Sequence, residues 1–118
     1  MAGFLIADMH NMLQKTDDYF TKSQIREHQF MGIELQSYMF TIATTNMILR
    51  GDGKSNLENE DFLKQNPAKL QLKDCTVRVM NTPYSQGSKD NQNLYEISFT
   101  EHLLDSLVEW GRAAVIVP

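Results

Sequence analysis

Cysteine is nearly absent from this 118-residue chain. The lone Cys75 excludes an internal disulfide framework, fits a reducing compartment such as the cytoplasm, and reads more simply as a buried apolar thiol than as a reactive one. Clusters of metal ligands are missing too. His10, His28 and His102 are scattered through polar sequence without ligand spacing, so they read as surface or partly packed side chains. Positive charge is scarce, with 11 Lys and Arg against 15 Asp and Glu. A free-standing nucleic-acid binder draws its nonspecific affinity from clustered cations, so any grip on DNA has to come largely from elsewhere. The apolar start Met1-Ala2-Gly3-Phe4-Leu5-Ile6-Ala7 is interrupted by Asp8 and preceded by no basic residue; neither a signal peptide nor a membrane span is expected. Two phosphate or nucleophile signatures also fail. Gly51-Asp52-Gly53-Lys54 follows a helical stretch, where a phosphate cradle should precede one, and Gln86-Gly87-Ser88 lacks the spacing of a nucleophile elbow.

What is present suffices for one domain or part of one, since a chain of this length buries roughly two-thirds of its unfolded surface. Leu5, Ile6, Met9, Met12 and Leu13 predict a helix from residue 3 to about 17, and Tyr38, Met39, Ile42, Ala43, Asn46 and Leu49 predict another, stopped at Gly51. Leu94, Ile97, Leu104, Leu107 and Val108 mark a third, stopped at Gly111. Apolar runs at 29–35, 75–80 and 113–117 read as strands, residues 66–70 as loop, and 85–93 as a polar loop. The seven methionines sit mostly at helical core spacing and read as packing material. Strands alternating with helices predict an α/β fold with a largely parallel sheet.

Asn81-Thr82-Pro83-Tyr84 follows the second strand directly. In open α/β sheets ligands bind beyond the C-terminal ends of the strands, so an amide, a rigid turn and an aromatic ring stand there as groups able to grip a planar polar ring. Taken alone, the tetrapeptide reads more readily as an ordinary turn than as a site.

Six segments in order carry a resemblance: Gly3-Phe4-Leu5-Ile6, Gly32-Ile33-Glu34-Leu35, Thr45-Asn46-Met47-Ile48-Leu49, Asn59-Glu60-Asp61-Phe62-Leu63, Asn81-Thr82-Pro83-Tyr84-Ser85 and Gly111-Arg112-Ala113-Ala114-Val115-Ile116-Val117-Pro118. Together they resemble the methyltransferase subunit of type I restriction–modification systems, an S-adenosylmethionine-dependent DNA methylase acting on the amino group of adenine. The resemblance implies a partial Rossmann-like methyltransferase fold over residues 1–118, a single partial domain with a mostly parallel sheet, flanking helices and no first strand. In that family a strand and a glycine-rich turn ending in Gly-Gly-Phe precede the first helix, so the chain is expected to be an internal fragment that starts at the last piece of the turn, Gly3-Phe4. The missing strand would be central. Its loss is expected to be answered by direct pairing of the strands ending at Glu34 and Met80, or by dimerisation through the exposed edges.

The same resemblance assigns roles. Glu34 would accept hydrogen bonds from the ribose hydroxyls of the cofactor, Asp61 and Phe62 would contact its adenine, and Gly3 and Phe4 would border it. Asn81 and the carbonyl of Thr82 would hold the target amino group, Pro83 would stiffen the turn, and Tyr84 would stack on an extruded base. The family pattern here is Asn-Pro-Pro-Tyr, so Thr82 removes one fixed φ; Trp110 likewise stands where a second glycine is usual. DNA, a specificity subunit and a restriction subunit are the implied partners. Without the glycine turn, the isolated chain is expected to bind S-adenosylmethionine at millimolar strength or not at all, which leaves a folded, non-catalytic remnant as the alternative reading. A hydrolase using Glu34 and Asp61 as a carboxylate pair lacks both nucleophile and metal set.

Overall fold

Apolar residues at helical spacing close the first helix, α1 (Gly3–Leu13), around the buried Met9. A computed structural model describes residues 3–51, 56–84, 88–91 and 95–118, in two compact units, Met1–Phe62 and Leu63–Pro118. In the first unit α1 is followed by α2 (Tyr19–His28), strand β1 (Gly32–Ile33), α3 (Ser37–Leu49) and strand β2 (Leu57–Glu58). Met9, Ile25, Phe30 and Met47 form its core, with Leu5, Ile6, Met12, Leu13 and Leu57 packed against them. Two of the methionines expected to be packing material thus lie at the centre.

Helix α2 is not announced by an apolar stripe, because only Ile25 is buried. Its start is instead fixed by a cap. Asp18 Oδ2 accepts from the Thr21 amide at 2.7 Å and from the Thr21 hydroxyl at 2.6 Å, and these bonds, side chain first, hold the Asp18 carboxyl below its ordinary range. The strand expected over 29–35 contracts to β1. Gln29 caps the C-terminus of α2, Phe30 turns into the core and Leu35 is 63% exposed. Helix α1 ends at Leu13, short of residue 17. Helix α3 ends as expected, with Gly51 at φ 94° and its amide donating to the Ile48 carbonyl at 3.0 Å. Apolar residues surround α3 on all sides, so only Ala43 and Met47 are buried while Tyr38 and Leu49 stay exposed.

A 3₁₀ turn covers Phe62–Lys64. In the second unit residues 66–70, expected to be loop, begin the short helix α4 (Pro67–Gln71), with Pro67 in the first turn and Asn66 Oδ1 accepting from the Ala68 amide at 2.9 Å. Strand β3 (Val77–Asn81), helix α5 (Glu96–Asp105) and strand β4 (Arg112–Ile116) follow. Helix α5 stops well before Gly111, because the buried Ser106 hydroxyl bonds back to the Leu103 carbonyl at 2.7 Å. Gly111 serves the turn into β4 instead: a Cβ there would lie 2.8 Å from the Val108 carbonyl oxygen. Trp110 before it adopts φ 62°, the left-handed conformation that favours glycine.

Among the described residues there are two sheets, both parallel and two-stranded. β1 pairs with β2 through Gly32↔Leu57 and Ile33↔Glu58, and β3 pairs with β4 through five partners from Val77↔Arg112 to Asn81↔Ile116. The class is therefore α/β. Asp52, Gly53 and Lys54 of the rejected phosphate loop, Ser85, Gln86 and Gly87 of the polar loop, and Leu94 lie outside the described residues. Among the described residues no helix is long and apolar enough to cross a membrane.

Candidate functional site

The parallel ladder of β3 and β4 ends where the tetrapeptide begins. Asn81 is the last residue of β3, in register with Ile116. Thr82 continues the contact beyond the strand: its amide donates to the Ile116 carbonyl at 3.3 Å and its hydroxyl donates to the same oxygen at 3.0 Å. At 3% exposure Thr82 is one of the two buried polar residues among the described side chains, the other being Ser106. Pro83 is half-buried and restricts Thr82 to extended backbone. Tyr84 is 46% exposed and its hydroxyl donates to Asn81 Oδ1 at 3.3 Å. An amide oxygen and an aromatic ring, far apart in chemistry but three residues apart in sequence, are thus brought together at the open end of a strand.

The residues assigned to the cofactor lie in the first unit. Glu34 directly follows β1, and its amide donates to the Glu58 carbonyl at 2.9 Å, extending the short ladder by one bond. Oε1 of Glu34 accepts from the Gln36 amide at 2.9 Å, which orients the carboxylate at the entrance to α3. A shallow cavity of about 90 Å³ is lined by Leu5, Gly32, Ile33, Glu34, Ala43 and Leu57, so the carboxylate borders an apolar floor. Gly3 has open space where a Cβ would stand, and Phe4 is 41% exposed at the start of α1. Asp61 and Phe62 are half-buried at the end of the unit.

Asn59 is a structural contributor whose role the sequence did not reveal. Its Nδ2 donates to the carbonyls of Glu34 at 2.7 Å and Leu35 at 3.0 Å, while its Oδ1 accepts from the Ser37 hydroxyl at 2.9 Å. One amide thereby fixes the turn carrying Glu34. The available signal was an amide just beyond a short β segment, a pattern too common to single out. Among the described residues no group of three His, Cys, Asp or Glu is arranged to hold a metal ion. Cys75 is half-buried, with its sulfur 3.7 Å from the Lys73 carbonyl, rather than fully enclosed.

The profile of the N-6 DNA methylases matches residues 1–118. The chain is 42% identical over 117 residues to the type II restriction enzyme and methyltransferase RM.BcgI of Heyndrickxia coagulans, in a match covering 98% of this chain and 18% of that protein. No solved structure matches the chain.

Proposed function

The chain belongs to the N-6 DNA methylase family, and from that premise we propose that it forms part of an adenine-specific DNA methyltransferase of a restriction–modification system. The observation that carries this reading is the Asn81 and Tyr84 pair at the C-terminal end of β3. Asn81 Oδ1 already accepts a hydroxyl from Tyr84, so its lone pairs face a donor in the way an adenine amino group would require. A base leaving the duplex costs a few kcal/mol, and stacking on the half-exposed Tyr84 ring offsets part of that cost. The Thr82 carbonyl is the second acceptor. Two acceptors on one amino group favour a pyramidal nitrogen with a usable lone pair and offset positive charge as it develops, which is a matter of alignment and electrostatics.

The carboxylate acceptors of the first unit suit S-adenosylmethionine, which when bound would supply an electrophilic methyl group. Glu34 would hold its ribose hydroxyls, with Oε1 already oriented by the Gln36 amide. Leu5, Ile33, Ala43 and Leu57 would give that ribose an apolar floor. Asp61 and Phe62 would take the adenine of the cofactor, Gly3 and Phe4 would border it, and the two units would be parts of one Rossmann-like domain working in the cytoplasm. The resemblance in the motifs points to a type I system with separate specificity and restriction subunits, whereas RM.BcgI carries a type II name. Copurification separates these, since a type I subunit requires partners encoded on other chains. Open strand edges make a homodimer the competing assembly.

The test is transfer of labelled methyl from S-adenosylmethionine to duplex DNA by the protein that contains this chain, with the modified base identified. The expected product is N6-methyladenine, and Asn81→Ala is expected to lower transfer by about 10²-fold or more. Methylcytosine as product, or an Asn81→Ala variant as fast as the wild type, contradicts the reading. Calorimetric titration of the 118-residue chain alone then decides between an active module and a folded remnant: micromolar affinity for S-adenosylmethionine supports the first.

A further inference from the structure

We propose that Thr82 is a positioning residue, whose side chain and amide together lock the strand end that presents Asn81 and the Thr82 carbonyl. The inference rests on the base-pocket reading above and adds a role for a hydroxyl that the reading does not use. A threonine after a strand ordinarily turns its hydroxyl to water or to a local turn. Here it is 3% exposed, and both of its donors converge on one acceptor, the Ile116 carbonyl, at 3.3 and 3.0 Å. A carbonyl oxygen has two lone pairs, so it satisfies both bonds at once. The amide bond fixes the peptide plane between Asn81 and Thr82. The hydroxyl bond fixes χ1, and Pro83 confines the backbone of Thr82 from the other side.

Three restraints therefore meet at one residue, and they act on the two groups that the target amino group would contact. Because Thr82 itself is shielded from solvent, water has little access to its hydroxyl as an alternative partner. Asn81 is flanked by the ladder on one side and by this clamp on the other, so its amide leaves the strand from a backbone that cannot swivel. Tyr84, two residues beyond the clamp, inherits the same fixed origin.

The experiment is an NMR titration of the 118-residue chain with adenosine, followed at the Tyr84 ring and the Asn81 side-chain amide, for the wild type, Thr82→Ser, Thr82→Val and Asn81→Ala. Serine keeps the hydroxyl and is expected to bind within about twofold of wild type, while valine, which keeps the shape and loses one hydrogen bond, is expected to bind about fivefold more weakly. Thermal midpoints are expected to stay close together, and exchange of the residue 82 amide is expected to quicken in the valine variant. If valine prevents folding, Thr82→Ala removes the same hydroxyl and takes its place. Valine binding as tightly as threonine, while Asn81→Ala has lost binding, overturns the clamp and spares the pocket. A wild type that ignores adenosine, or an Asn81→Ala variant that binds it unchanged, overturns the pocket and the role of Thr82 with it.

Discussion

Among the described residues the first unit holds five buried apolar side chains, Met9, Ile25, Phe30, Ala43 and Met47, beside a ladder of two residue pairs, and the second holds two, Leu70 and Leu103, beside a ladder of five. The first gains its order from packing, which is non-directional, and the second from hydrogen bonds, which fix angles. Candidate cofactor residues fall in the packed unit and candidate target-base residues in the laddered one. A ribose held through one carboxylate tolerates small displacements. An amino nitrogen that must be held by two acceptors does not, because misplacement on the scale of 1 Å can cost about 10² in rate. The difference teaches that directional order is concentrated where the proposed chemistry is least forgiving.

The largest effect expected from breaking this contrast is at Met47, which is fully buried. Met47→Ala should cost about 2–5 kcal/mol in urea unfolding, through lost burial and a residual cavity. Leu103→Ala in the second unit is expected near the bottom of that range, and a larger loss there than at Met47 would reverse the contrast. Next comes Asn59→Ala, which removes three hydrogen bonds from the turn carrying Glu34. About 1–2 kcal/mol is expected in thermal unfolding, with faster amide exchange at Glu34 and Gln36. Trp110→Gly should move stability the other way. It relieves a left-handed backbone at a side chain 92% exposed, for a gain of about 1 kcal/mol by circular dichroism.

The smallest effect concerns Asp18. Its folded-state pKa lies below the ordinary 3.8, so its contribution is present above that value and is lost as pH falls through the lowered one. Asp18→Asn should keep the cap of α2 and remove this pH dependence. Melting curves at falling pH check it: the wild type should lose its advantage over the variant only below the ordinary aspartate value. An advantage already gone well above that pH would show that the Asp18 pKa is not lowered in the folded protein.

The parts of this fold legible from sequence were those governed by a repeating pattern. Met9 and Leu5 announced α1, Gly51 marked the end of α3, and Val77, Val79 and Asn81 located β3 to within two residues. Elements started by a cap rather than a stripe were hidden. Asp18 and Asn66 each begin a helix by accepting a backbone amide, and the same residue types begin countless turns. The run at 29–35 misled because Phe30 supplies core from a loop, so its apolar character says nothing of strand geometry. At the proposed site, Asn81 and Tyr84 could be named only through the resemblance carried by the six ordered segments, because the tetrapeptide alone reads as a turn. The clamp could not, since the partner of Thr82 is a main-chain carbonyl 34 residues away, and a carbonyl leaves no mark on sequence.

Trp110 is the chain's single tryptophan and stands 92% exposed on the turn leading into β4. Its fluorescence in the folded protein is therefore already that of an indole in water, so emission is a poor gauge of unfolding. The same exposure makes it a sensitive gauge of association. Any partner that covers this turn must shift the emission to the blue, giving an optical signal for docking against a background that folding itself barely disturbs.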